Sequence, residues 1–100
     1  MNCKRKGAQR EHKSIALLES QGYKCTRAAA SLGAFDIIAI RSDLILLVQV
    51  KSNRWPGSEE MEQIAAFECP PNCVRVIHRW RDKESEPDVK YVYSDYVGPL

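Results

Sequence analysis

The sequence predicts a single α/β domain, a central mixed β-sheet flanked by helices, with its elements in the order α-β-β-β-α-β-β. Three observations lead there. Two strand-length apolar runs follow each other at residues 34–40 and 44–51, helical apolar spacing precedes and follows them, and 100 residues with 44% hydrophobic and 28% charged leave room for one core. A mean hydropathy of −0.41 with 5 Gly and 5 Pro excludes a fibrous or disordered chain.

Residues 7–21 have the spacing of an amphipathic helix, with Ala8, Glu11, Ile15, Leu18 and neighbouring Leu17 on one stripe and Arg10, Lys13 and Gln21 off it. Gly22 is placed to end it. Glu11 lies one turn before Ile15 and two before Leu18, so its carboxylate points along the protein side, where a charge needs a reason. Either it favours the positive helix end and reaches solvent, or it has a task at the sheet. Tyr23–Arg27 reads as a short strand, followed by the small-residue connection Ala28-Ala29-Ala30-Ser31-Leu32-Gly33.

The two central runs, Ala34–Ile40 and Leu44–Lys51, are apolar on both faces, the pattern of strands covered from two sides. Three polar residues interrupt them: Asp36, Gln49 and Lys51. Gln49 and Lys51 share a face, about 7 Å apart by strand rise. Asp36 joins them if 36 opposes 49 and 41 opposes 44, with a two-residue Ser42-Asp43 turn or a four-residue loop if the end pair frays, and a shift by one residue sends it to the opposite side. A polar loop at Ser52–Gly57 leads to a second helix, with Ser58 as cap, Glu59 and Glu60 in the first turn and Met61, Ile64, Ala65 and Phe67 on its apolar side; Pro70-Pro71 ends it. Cys73–Trp80 alternates as a strand, Arg81–Pro87 is a charged loop, and Val89–Tyr93 is the last strand.

Composition removes several function classes. The longest apolar strip, Leu44–Val48 with Val50, is strand-sized, so no membrane span is expected, and the basic start is not followed by the apolar segment of a secretion signal. The expected location is the cytoplasm, and the 4 cysteines are expected as reduced thiols. Cys69 and Cys73 resemble half of a zinc knuckle, but neither the other cysteines nor His12 and His78 complete one. Charge is uneven: residues 1–54 hold 10 Lys/Arg against 4 Asp/Glu, and residues 55–100 hold 5 against 9. A basic front half suits a polyanion such as nucleic acid, although a solvated basic end fits the same count.

A carboxylate and a lysine on adjacent strands, near a second carboxylate from a helix, are the parts of a metal-dependent phosphodiesterase. Asp36 would hold a hard divalent cation, Lys51 would orient the attacking water or neutralise charge on the phosphate, and Gln49 would offer a neutral oxygen. On these residues the chain resembles the archaeal-type Holliday junction resolvases, a branch of the PD-(D/E)XK nuclease superfamily. The resemblance covers most of residues 4 to 80. It is carried by Arg5-Lys6-Gly7-Ala8-Gln9-Arg10-Glu11, Leu17–Tyr23, Arg27–Ser31, Phe35-Asp36-Ile37-Ile38-Ala39 and Val48-Gln49-Val50-Lys51, in that order.

The resemblance implies a restriction-endonuclease-like fold in one nuclease domain spanning 1–100. It also implies a homodimeric, Mg²⁺-dependent (or Mn²⁺-dependent) endonuclease that nicks four-way DNA junctions symmetrically. It assigns Glu11, Asp36 and Gln49 to the metal, Lys51 to catalysis and Ser31 to the active site. Arg5, Lys6, Arg10 and Arg27 become DNA contacts, joined on charge by Lys4 and Arg54. Gln49 stands where the family has a second acidic ligand, which predicts weaker metal binding or greater dependence on Glu11. Two other readings fit the same residues, a related nuclease acting on other DNA and an inactive DNA-binding module.

Overall fold

The computed structural model describes residues 3–28 and 32–93, with side chains from residue 7 onward. The elements are α1 (Cys3–Ser20), β1 (Lys24–Arg27), β2 (Ile37–Arg41), β3 (Leu44–Ser52), α2 (Ser58–Ala66), β4 (Cys73–Trp80) and β5 (Asp88–Val92). They form one five-stranded sheet in the order β1-β2-β3-β4-β5. β3 and β4 are parallel, and the other pairs are antiparallel. The parallel pair requires a crossover, which α2 supplies. No helix among the described residues is long and apolar enough to cross a membrane.

Alternation along β3 and β4 divides the core. Leu46 and Val48 of β3 and Val76 of β4 join Leu18, Tyr23, Ile37 and Ala39 on the α1 face. Leu47 and Ile77 join Phe35, Met61, Ile64, Ala65 and Val92 on the α2 face. Phe35 and Phe67 meet edge to face there, with centroids 5.2 Å apart. Trp80 is buried, whereas half-buried Trp55 packs its ring against the Arg79 guanidinium at 4.3 Å.

Helix α1 differs from the sequence expectation in phase and in length. It begins at Cys3 rather than residue 7, and its inward face runs through Arg10, Ser14 and Leu18. Arg10, expected off the stripe, is 7% exposed and pairs with Asp82 at 2.8 Å. Apolar spacing missed this face because two of its three residues are polar, each with a partner in the fold. Glu11 lies beside that face, half-buried. The helix closes as a Schellman motif: Gly22, at φ +94°, donates to the Glu19 carbonyl at 3.1 Å, and Tyr23 donates to the Leu18 carbonyl at 3.1 Å.

At α2 the cap falls one residue earlier than expected. Gly57 holds the extended cap conformation (φ −68°, ψ 172°), Ser58 is the first helical residue, and no side chain caps the end. The β2–β3 hairpin has the Arg41↔Leu44 register with a Ser42-Asp43 turn. Neither turn residue has the positive φ of the primed hairpin turns. The register therefore rests on the apolar alternation, assisted by the Arg41–Asp43 pair at 3.0 Å.

Ser14 is the polar joint between α1 and β4. Trp80 Nε1 can only donate, and it does so to Ser14 Oγ at 2.7 Å; the same hydroxyl shares a hydrogen bond with His78 Nδ1 at 2.9 Å. Burial lowers the His78 pKa to about 4. The unfolded chain takes up this proton near pH 6.5, so stability present above that pH is lost as pH falls from about 6.5 toward 4, by up to about 3 kcal/mol. Urea unfolding at pH 6.5 and 5 is expected to show a smaller decline for His78→Gln than for wild type. Ser14→Ala is expected to cost about 1–3 kcal/mol at pH 7.

Candidate active site

Asp36 stands just before β2, where three strands meet. Its carbonyl accepts from the Ala28 amide at 2.8 Å, beyond the end of β1, and its own amide donates to the Val48 carbonyl of β3 at 2.7 Å. Its Oδ2 accepts from the Val50 amide at 2.8 Å. The side chain thus takes the place of a ladder acceptor at the end of the β2–β3 pairing, directly between Gln49 and Lys51. The register with 36 opposite 49 is the one that the catalytic reading required.

Burial is the main cause that raises the Asp36 pKa above its ordinary value. The Val50 hydrogen bond opposes it, Glu11 adds to it, and Lys51 and Arg27 lower it. Those charges reach Asp36 from α1, β1 and β3, so the fold brings Glu11, Asp36 and Lys51 to one place. Glu11 itself is engaged by Arg27, whose Nε and Nη2 approach the same oxygen, Oε1, at 2.9 and 2.7 Å.

Gln49 is 6% exposed, on the α2 side of β3. Its Nε2 donates to Glu60 Oε2 at 3.1 Å, while its Oε1 is buried with no hydrogen-bond partner among the described residues. Lys51 Nζ lies 3.6 Å from Glu60 Oε1. Glu60 was not singled out by sequence reasoning, which placed it with Glu59 as an ordinary first-turn acid. Its signal was the same as that of Glu11, an acid one turn before an inward aliphatic residue, here Ile64. Among the described residues, no three His, Cys, Asp or Glu side chains cluster as a metal site.

The remaining sequence candidates divide. Arg27 and Arg54 are exposed near the site's strands, whereas Arg10 departs from the expectation of a DNA contact, because its guanidinium is buried and joins α1 to the loop after β4. Ser31 and the side chains of Lys4, Arg5 and Lys6 lie outside the described residues. A groove of about 770 Å³ lies at the other end of β4 around Cys69, Pro70, Cys73 and Tyr93, away from Asp36.

Residues 2–68 match the family model described as archaeal Holliday junction resolvase (Hjc). The chain belongs to this family. The matched span holds the whole of the Glu11, Asp36, Gln49 and Lys51 set, and β4 and β5 lie beyond it. The solved structure of Archaeoglobus fulgidus Hjc, a Holliday junction resolvase from an archaeal hyperthermophile, is similar with a TM-score of 0.72 at 18% identity. The similarity covers 86% of this chain and 77% of that one, which identifies the mixed sheet with flanking helices as the restriction-endonuclease-like fold. No curated protein sequence matches significantly.

In this Hjc-family chain, an aspartate whose ionised form is disfavoured by its surroundings should cost stability. Asp36→Asn retains an acceptor for the Val50 amide and removes the buried charge, so its melting temperature at pH 7 is expected at or above wild type. Asp36→Ala strips that acceptor and is expected to cost about 1–3 kcal/mol. A marked drop for the Asn variant, measured by thermal denaturation, would make the carboxylate a structural group.

Proposed function

We propose that the protein is a divalent-metal-dependent endonuclease that resolves four-way DNA junctions by hydrolysing a phosphodiester in each of two strands. The observation that carries this reading is the convergence of Asp36, Gln49 and Lys51 on the end of one hairpin, with Glu11 acting on Asp36 from the helix. Membership of the resolvase family supplies the substrate class.

The donor set fits a hard cation. It consists of oxygens, with the Asp36 carboxylate and the unpartnered Gln49 Oε1 as ligands and Glu11 as a further one through the carboxylate oxygen that Arg27 does not take. Mg²⁺ keeps several waters and is commonly held by one or two carboxylates, so a full protein cage is not needed. When bound, such an ion lowers the pKa of water and stabilises charge developing on the phosphate. Lys51 places an ammonium beside that phosphate, positioned to orient the attacking water or to offset charge in the transition state. Arg27, held by Glu11, would face the backbone of the cut strand, and exposed Arg54 would add a further phosphate contact.

A two-fold junction presents two equivalent scissile phosphates, and an isologous dimer would supply two equivalent sites. Light scattering at micromolar concentration is expected to give twice the 11.4 kDa chain mass. A monomer that makes paired nicks would refute the dimer.

Incubating four-way junction, fork, single strand and linear duplex with Mg²⁺ is expected to show preferred cutting of the junction. Asp36→Asn and Lys51→Ala should each lower the cleavage rate by about 10²–10³-fold while leaving junction binding within a few-fold. Equal cutting of linear duplex would point to a nuclease of another substrate class. Junction binding without cleavage by wild type would identify an inactive binding module.

A further inference from the structure

The amide of Gln49 has two ends of similar shape and opposite polarity, and only its oxygen can ligate a cation. Glu60 decides which end faces where. An ionised carboxylate only accepts hydrogen bonds, so the end of Gln49 that lies 3.1 Å from Glu60 Oε2 must be the NH₂, and the other end is then oxygen. That oxygen is the one left buried and unpartnered, on a side chain 6% exposed. An amide with nothing to orient it would turn its NH₂ toward a site containing the Asp36 carboxylate, where it would repel a cation. Glu60 also places a negative charge 3.6 Å from Lys51, on the side of the site where Gln49 brings none.

From this arrangement we infer that Glu60 is a positioning residue that makes Gln49 an oxygen ligand, and that positions 49 and 60 form an exchangeable acid–amide pair. The inference rests on the metal-dependent reading of the site and goes beyond it in assigning Glu60. It also changes an expectation drawn from the sequence. The charge missing at position 49 is compensated from α2 and not by Glu11 alone, whose Oε1 is already engaged by Arg27. An acid introduced at 49 would face Glu60 across a hydrogen-bond distance, and two carboxylates there repel unless they share a proton.

The test uses the full chain without DNA. Mn²⁺ binding is followed by electron paramagnetic resonance, and melting temperature is recorded without metal at pH 8. Outer-sphere substitutions around metal ligands commonly weaken affinity by about 10–100-fold, and Glu60→Gln is expected to do so here. Gln49→Glu alone should lower the metal-free melting temperature. The double variant Gln49→Glu/Glu60→Gln should restore both the melting temperature and Mn²⁺ affinity to within a few-fold of wild type, because the acid and the amide have exchanged places. Glu60 is half-buried at the edge of the site, with 44% of its side chain accessible, so its substitutions should leave the fold intact.

Mn²⁺ affinity of Glu60→Gln within twofold of wild type, or a double variant no better than the worse single one, overturns the assignment. Junction cleavage by Glu60→Gln with the wild-type Mg²⁺ dependence overturns it while the nuclease reading stands. Weakened Mn²⁺ binding in Glu60→Gln by a protein that cuts no DNA supports the assignment and defeats the nuclease reading. A wild-type protein that binds no Mn²⁺ defeats both.

Discussion

The pairing register of β2 with β3 is the constraint on which the rest of the site depends. Because Arg41 opposes Leu44, the end of β2 brings Asp36 to the Val50 amide, between Gln49 and Lys51. A slip of one residue would turn Ile37 and Ala39 out of the α1 face and carry Asp36 to the opposite side of the sheet. Burying an aliphatic side chain such as Ile37 is worth about 1.5–3 kcal/mol, so the slip is opposed by the core and not by any contact within the site. The geometry of the candidate site is thus held by core residues outside it.

Such a foundation allows the site to contain groups that do not stabilise the fold. Burial disfavours the ionised form of Asp36, and its carboxylate accepts a hydrogen bond from the backbone of β3. Charges on either side of it come as pairs, Glu11 with Arg27 and Glu60 with Lys51. Each pair keeps its cation in place without neutralising Asp36 directly. The buried Gln49 oxygen is an acceptor without a partner among the described residues. Under the proposed metal-dependent reading, a cation would offset both the burial of the Asp36 carboxylate and the missing partner of the Gln49 oxygen.

The opposite sheet face uses polar groups differently. Ser14, His78 and Trp80 satisfy one another within the α1 interface, and Arg10 reaches Asp82 from the same helix face. These contacts orient α1 across the sheet, which in turn sets where Glu11 stands. Polar residues on this face thus position the helix, whereas the partnerless Gln49 oxygen lies on the other face, with Asp36 and Lys51.

The α/β class, the element order and the hairpin register were legible in the sequence, because strand alternation and turn length are properties of residues close together in the chain. So were Asp36, Gln49 and Lys51, as polar breaks in runs that are otherwise apolar. The phase of α1 was not, since Arg10 and Ser14 are buried through partners more than 60 residues away. Glu60 was hidden for the same kind of reason. Only the path of the α2 crossover brings it over Gln49 and Lys51, and only that contact decides which end of the Gln49 amide faces the site. Spacing along the chain determined the strands and their facing residues; tertiary packing decided the partners, because a hydrogen bond between distant segments leaves no period in the sequence.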